Sequence, residues 1–290
     1  MPDYNLKETQ TMEYKRPDVV KGYTDQTLYI NLADPQIEIK PVDEKTKKTF
    51  IGGKGYDLWL LWNAVQPSTR WNDPENALCI AAGPLGGTPI YPGSGKSIVA
   101  TLSPTTGSVM DSNVGGYFGP YLKFSGFDAL EIQGKSSKEI VVFIDGINQK
   151  VQVFEASGLP ENAYELSAIL TEHFAQGKPR NISVVSAGPG AKNTLIGCLN
   201  FTWYDPKRKR ARYKQAGRGG VGSVFADKGL KAVVACWGNV PADTNAPADK
   251  DRLKTVAKMH SREVVELDPK QNEMAKIGTT HLVTIMNDHD

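Results

Sequence analysis

The sequence predicts an α+β fold with a large sheet component. Three observations carry that expectation. Short apolar runs bounded by Gly, Pro or Asp dominate the stretch from Leu78 to Phe154. Helical spacing is confined to a few separate segments. Strands and helices do not alternate regularly, which argues against a doubly wound nucleotide-binding sheet.

Residues 1–24 are polar and are expected to form a poorly ordered arm. Leu28–Leu32 and Ile37–Ile39 have the composition of two hairpin strands, with Ala33-Asp34-Pro35 as the turn. A helix is expected after Gly52-Gly53, with Leu58, Leu61, Trp62 and Val65 along one side and Pro67 ending it. Leu78–Ala82 is a buried strand broken by Gly83-Pro84. Strands follow at Ser97–Leu102, Ala129–Gln133, Ile140–Ile144 and Val151–Phe154, then an amphipathic helix at Tyr164–Phe174. Strands resume at Ile182–Ser186, Leu195–Asn200 and Leu230–Ala235. Pro, Asn, Ala and Asp cluster at Val240–Ala248 and mark a boundary. Lys250–Glu266 then has helical spacing, and Ile277–Met286 begins another helix. So short a tail cannot bury a core of its own. Residues 25–242 are therefore expected to form a sheet-rich domain, and 243–290 the start of an incomplete helical one.

The chain has 290 residues, 40% hydrophobic and 23% charged, which is ordinary for a soluble globular protein. Its formal net charge is only +2. A protein that coats nucleic acid would be basic over a whole face, so no nucleic-acid partner is expected. The N-terminus has no apolar signal core and no twin arginine, and no apolar run reaches the ~20 residues of a membrane span. A cytoplasmic location and no membrane partner follow as expectations. Cys79, Cys198 and Cys236 are far apart in strand-like surroundings and are expected to be buried thiols. The four histidines show no ligand spacing.

Three glycine-rich segments stand out. They are Ala82–Thr88 continuing through Pro92–Lys96, then Asn113–Gly119, then Ala216–Val224. The third follows a cationic run, and seven cations lie between Lys207 and Arg218. Glycines leave backbone N–H groups uncovered, so such a loop can approach an anion closely. With Lys96, Lys214 and Arg218 attached, the segments point to a shared site for a phosphorylated ligand. Gly93–Ser97 ends like a P-loop, but the required first glycine is Ile90, and a strand rather than a helix follows. Gly217–Gly222 fits the dinucleotide fingerprint, yet the basic run rather than a strand is expected before it. Asn113 is a turn former whose side-chain oxygen also suits Mg²⁺. Lys207–Lys214, with Trp203, Tyr204 and Tyr213 interleaved, fits a solvated basic loop or a nucleic-acid contact, and the nearly neutral overall charge disfavours the second. No nucleophile–base pattern or spaced carboxylate pair is present, so no catalytic residue is assigned.

The glycine segments occur in an order, and with flanks, that resemble the N-terminal domain of the aldehyde:ferredoxin oxidoreductase family. The matching pieces are Ala81–Thr88, Ser103–Gly107, Asn113–Gly119 with Leu122–Asp128, and Ala216–Gly222 with Lys228–Val233. The resemblance implies two β-sheets forming a saddle under a tungsten (or molybdenum) bis-pterin cofactor, with Mg²⁺ bridging the pterin phosphates. It assigns cofactor contacts to Lys96, Asn113, Gly115, Gly116, Lys214, Gln215, Gly217 and Arg218, and the ion to Asn113 and the Gln215 carbonyl. Lys96 and Lys214 stand where the family has arginine, which keeps the charge and loses the bidentate fork. Trp203–Lys209 looks like an insertion. The resemblance further implies oxidation of aldehydes to carboxylic acids and a 4Fe–4S cluster bound by residues beyond this chain. Electrons would pass to ferredoxin or an iron–sulfur partner subunit. The remaining domains would lie in the same or a separate chain, and an oligomer is expected. Alternatives are a benzoyl-CoA-reductase-type subunit and a non-catalytic module that binds a partner through the basic loop.

Overall fold

The computed structural model describes residues 4–34, 36–238, 244–271 and 273–289. Pro35 of the expected turn and residues 240–243 of the expected boundary lie outside the described residues. The first half of the chain forms β1 (Asn5–Glu13), β2 (Gln26–Asn31), β3 (Gln36–Pro41), α1 (Glu44–Phe50), α2 (Lys54–Ala64), β4 (Leu78–Ala81), β5 (Ser97–Leu102), β6 (Val109–Val114), α3 (Phe118–Phe124), β7 (Ala129–Gln133) and β8 (Glu139–Asp145). Then come β9 (Lys150–Ser157), α4 (Ala163–Ala175), β10 (Ile182–Ala187), α5 (Gly190–Asn193), β11 (Leu199–Asp205), β12 (Arg210–Ala216), α6 (Val221–Asp227), β13 (Leu230–Cys236), α7 (Lys250–Gln271), α8 (Met274–Ile277) and α9 (His281–Asp288).

The strands make two mixed sheets. One has the order β3-β2-β7-β4-β5-β6 and the other β1-β9-β8-β13-β10-β11-β12. The expected α+β class, rich in sheet, is what the chain adopts. The main core lies where the sheets face each other. It takes Leu28, Ile30, Leu130 and Ile132 from one sheet and Val142, Ile144, Val233 and Ala235 from the other, with Phe118, Leu122 and Phe225 from α3 and α6. Strand alternation sends the neighbouring residues outward. Val141, Phe143, Ala232 and Val234 thus meet Leu166, Leu170 and Phe174 of α4. On the far side of the other sheet, Cys79 and Ala81 meet Tyr56, Leu60 and Leu61 of α2.

Several expectations are corrected. The segment read as a polar arm contains β1, which pairs antiparallel with β9 along Asn5–Glu13. Backbone pairing carries most of its placement, with only Leu6 and Met12 packing against the cores, so its sequence shows no run of apolar alternation. Helix α2 buries Tyr56, Asp57, Leu60 and Leu61, while Trp62 is 81% exposed. The helix is apolar on most sides, so its periodicity did not single out the inner face. The strand expected at Leu195–Asn200 begins instead at Leu199 and runs on to Asp205; Leu195 and Ile196 are exposed. The basic run is only partly a loop: Lys207–Lys209 form the turn after β11, and Arg210–Lys214 lie on strand β12. Of the cysteines, Cys79 and Cys236 are buried and Cys198 is half-buried.

Two buried ionisable groups shape the frame. Lys123 of α3 donates from Nζ to the carbonyls of Gly83, Pro84 and Gly86 at 2.7, 3.1 and 2.9 Å, and lies 3.4 Å from Asn245 Oδ1. Burial pushes its pKa down to about 8, so it remains a cation at neutral pH. It holds the first glycine loop in shape. Asp57 is completely buried, and neither carboxyl oxygen makes a complete hydrogen bond. Desolvation therefore holds its pKa well above the carboxylate range, against a weaker opposing pull from the Ala81 backbone.

Lys123→Met should lower stability by about 2–4 kcal/mol, because a charged donor is lost and its carbonyl acceptors stay buried. Urea unfolding checks this, and an unchanged midpoint would show that the cage adds nothing. Native Asp57 retains a proton that the unfolded chain releases. Its contribution is therefore full below about pH 4 and is lost as pH rises toward its native pKa. Asp57→Asn should flatten that part of the stability–pH curve; an unaltered curve would mean that Asp57 is ionised in the fold.

Candidate functional site

The two sheets meet along a seam between their edge strands β6 and β12. Ser112 on β6 is buried, and its Oγ accepts a hydrogen bond from the Arg218 backbone N–H at 3.1 Å. At Gly115 an added Cβ would come within 3.5 Å of Lys214 Cγ. At Gly95 it would come within 2.7 Å of the Gly116 carbonyl oxygen, closer than real Cβ atoms approach. The loop carrying Lys96 is thus laid against the loop after β6. At Gly219, with φ +66°, a Cβ would run into the Met110 side chain. At Gly220, with φ +67°, it would run into the Leu195 carbonyl. These positions take glycine because the left-handed backbone and the close approach exclude a side chain.

The seam brings together the segments holding Lys96, Asn113, Gly115, Gly116, Lys214, Gln215, Gly217 and Arg218. Lys96, Asn113, Lys214, Gln215, Gly217 and Arg218 are exposed, and Gly115 and Gly116 are half-buried. Among the described residues Lys96, Lys214 and Arg218 make no ion pair. By contrast, Lys40, Lys47, Lys54, Lys135 and Lys138 each meet a carboxylate. Solvent-facing cations gathered without acids, around backbone stripped of side chains, are suited to an anion.

Asn113 and Gln215 are not equivalent in their surroundings. Asn113 lies opposite Ile98 in the β5–β6 pairing and shares its face with Asp111, whose carboxylate pairs with Lys54 Nζ at 2.6 Å. Gln215 lies opposite Asn200 and donates from Nε2 to Asn200 Oδ1 at 3.3 Å. Among the described residues no hydrogen bond joins Asn113 to Gln215.

The third glycine segment is a strand–loop–helix after all, since β12 precedes it and α6 follows. The absence of a preceding strand is therefore not what separates it from a dinucleotide fold. Strand order does: β13 is three places from β12, with β10 and β11 between them, and the successive antiparallel pairings make β12 and β13 antiparallel. A dinucleotide βαβ unit needs parallel strands. Lys96 leads directly into β5, which separates Gly93–Ser97 from a P-loop, where a helix follows.

Beside the seam lies a cavity of about 340 Å³ whose lining includes Gly95, Tyr117, Tyr121, Arg180 and Tyr204. Sequence reasoning did not foresee it, because these lining residues come from four separate segments: Gly95, Tyr117 with Tyr121, Arg180, and Tyr204. Ser112 was also missed; a lone serine in a polar strand gives no signal.

The family described as aldehyde ferredoxin oxidoreductase, N-terminal domain, matches residues 27–236. A tungsten-containing aldehyde ferredoxin oxidoreductase of Pyrococcus furiosus is 32% identical over 262 residues, which is 90% of this chain and 40% of that protein. The protein of the same name from Pyrococcus horikoshii is 33% identical over 270 residues, 92% of this chain and 41% of that protein. Among solved structures, the active site complex BamBC of benzoyl coenzyme A reductase with 1,5-dienoyl-CoA superposes with a TM-score of 0.66. That match is 32% identical and covers 74% of this chain and 31% of that one. The chain thus spans about two fifths of the length of the curated relatives it matches.

Arg218→Ala and Lys214→Ala should each weaken binding of inorganic pyrophosphate about tenfold or more, the effect of losing one charge-assisted contact. Calorimetric titration measures it, and unchanged affinity in both variants would place the anion site elsewhere.

Proposed function

Because the chain belongs to the aldehyde ferredoxin oxidoreductase family, we propose that it is the cofactor-cradling part of an oxidoreductase that converts aldehydes to carboxylic acids. The observation that carries this reading is the seam, where Lys96, Lys214 and Arg218 stand without acidic partners around the closely packed glycine loops. These residues fit a phosphorylated pterin. The cations neutralise phosphate, and Gly115 and Gly217 leave room for a ligand to approach the backbone. The Asn113 side-chain oxygen and the Gln215 carbonyl are hard donors of the kind Mg²⁺ takes alongside phosphate oxygens. A tungsten or molybdenum bis-pterin supplies the redox chemistry when bound. The chain's own residues bind and orient it and balance its charge.

Oxidation of an aldehyde releases an electron pair. In this proposal a 4Fe–4S cluster held by residues outside this chain would carry these electrons, one at a time, to ferredoxin or a partner subunit. The two sheets, β1 included, form the cradle domain, and 243–290 begin a helical domain whose exposed Val264, Val265, Val283 and Met286 are suited to further packing. A second reading, a benzoyl-CoA-reductase-type subunit, is favoured by the structural likeness to the BamBC complex. Substrate trials with aldehydes and with aryl-CoA thioesters separate the two.

Full-length protein carrying this domain should contain tungsten or molybdenum together with iron by elemental analysis; active material lacking both heavy metals would overturn the reading. Asn113→Ala should lower the pterin and magnesium content of the purified protein, and unchanged pterin content would remove Asn113 from the cradle.

A further inference from the structure

The β11–β12 hairpin has an outer half that the cradle does not use. Strand β10 pairs with β11 only across Val185–Ala187 and Leu199–Phe201, whereas β11 and β12 stay paired out to Asp205 and Arg210. Thr202 still bonds Ser183 and Val184 of β10, and beyond it the hairpin runs on as a two-stranded ribbon. Such a ribbon is marginal alone, and this one is braced. The Trp203 ring lies 5.8 Å from that of Tyr117, and the Tyr213 ring 4.3 Å from that of Tyr164. Arg212 sits 6.0 Å above Trp203. At the turn, the buried Asp205 accepts from the Lys207 and Arg208 backbone N–H groups at 3.0 and 3.2 Å and pairs with the Arg208 guanidinium at 2.8 Å.

This bracing holds Lys207, Lys209 and Arg210 out in solvent, and among the described residues none of them makes an ion pair. Residues 203–214 carry six cations and one acid, a charge of +5, while the whole chain carries +2. The remainder is therefore net −3. Positive charge is segregated onto one protruding ribbon of an otherwise acidic molecule. Trp203 and Tyr213 are engaged in internal ring contacts and Tyr204 lines the neighbouring cavity, so the rings do not form a row of stacking platforms for bases. The rest of the chain carries no net positive charge with which to extend such a contact along a polyanion.

We propose that this ribbon is the docking site for an acidic redox protein, whose carboxylates meet Lys207, Lys209 and Arg210. The proposal rests on the electron-transfer reading above. Strand β12 leads directly from the ribbon tip to Lys214 and Gln215 in the seam, a distance of roughly 13 Å at strand rise. A partner held at the tip is thereby kept beside the cradle. Charge complementarity of this kind acts mainly on encounter and on salt dependence.

The test uses full-length, metal-loaded enzyme with the charge reversals Lys207→Glu, Lys209→Glu and Arg210→Glu, and a milder variant with glutamine at the same positions. Ferredoxin is the probe, both as electron acceptor and in direct titration; a small viologen dye is the second acceptor. The expected result is a roughly tenfold or larger rise in KM and Kd for ferredoxin in the reversed variant, with a smaller rise in the glutamine variant. Salt dependence should flatten, and turnover with the dye should not change. Dye turnover also shows that the variants are folded. Unchanged ferredoxin affinity and salt dependence in both variants would overturn the proposal. So would tighter binding of a single-stranded oligonucleotide than of ferredoxin, abolished by the same substitutions. Absence of dye turnover in the unaltered enzyme would instead sink the functional reading, while the direct titration still decides the docking site.

Discussion

The seam exists because two sheet edges approach more closely than side chains would allow. Gly219 lies over Met110, Gly220 against the Leu195 carbonyl, and Gly95 against the Gly116 carbonyl. Each contact puts a backbone carbonyl or, at Gly219, the Met110 side chain where a Cβ would otherwise stand. The Ser112 hydroxyl then fixes the Arg218 backbone across the gap. Everything at the candidate site follows from this approach. The polar ends of β6 and β12 face solvent together, and the cations attached to them converge. A methyl group at Gly219 would have to displace Met110, whose strand also carries Ser112 and Asn113.

The frame behind the seam is kept rigid by buried groups of unequal character. Lys123 is a cation held by carbonyls from the first glycine loop, so α3, that loop and Asn245 form one unit. Lys228 is similarly buried, with its pKa lowered to about 8 by desolvation, and donates to the Gly134 carbonyl at 3.2 Å. These lysines stabilise loop backbones that no sheet ladder satisfies. Asp57 differs: it is a buried acid without a full partner, most stable when protonated. Surface charge, in turn, is divided between a slightly acidic body and one basic ribbon.

The legible strands and the missed ones differ in position. Strands β4, β7, β8, β10 and β13 lie inside the sheets, and their apolar runs were readable because both faces are buried. Strands β1, β6 and β12 are sheet edges. Their sequences are polar because one side remains in water; β6 and β12 pair with the strand just before them, whereas β1 pairs with the distant β9. The inner face of α2 was misassigned for a related reason. Tyr56 and Asp57 are buried there, and Trp62 is not, which a hydrophobic count cannot anticipate.

The sequence by itself determined the α+β class, the interior strands, the hairpin of β2 and β3, and helix α4. It also determined the family, because several motifs recur in the right order. The residues of the candidate site were nameable for the same reason. The tertiary structure decided that the glycine segments form a single seam, that the basic run is a braced turn and strand, and that Ser112 ties the two edges together. Those facts depend on which edges meet in space. The meeting of two edges is a long-range event, made here by a lone serine hydroxyl, one methionine and bare glycine backbone, and such scattered contacts leave little pattern in the sequence.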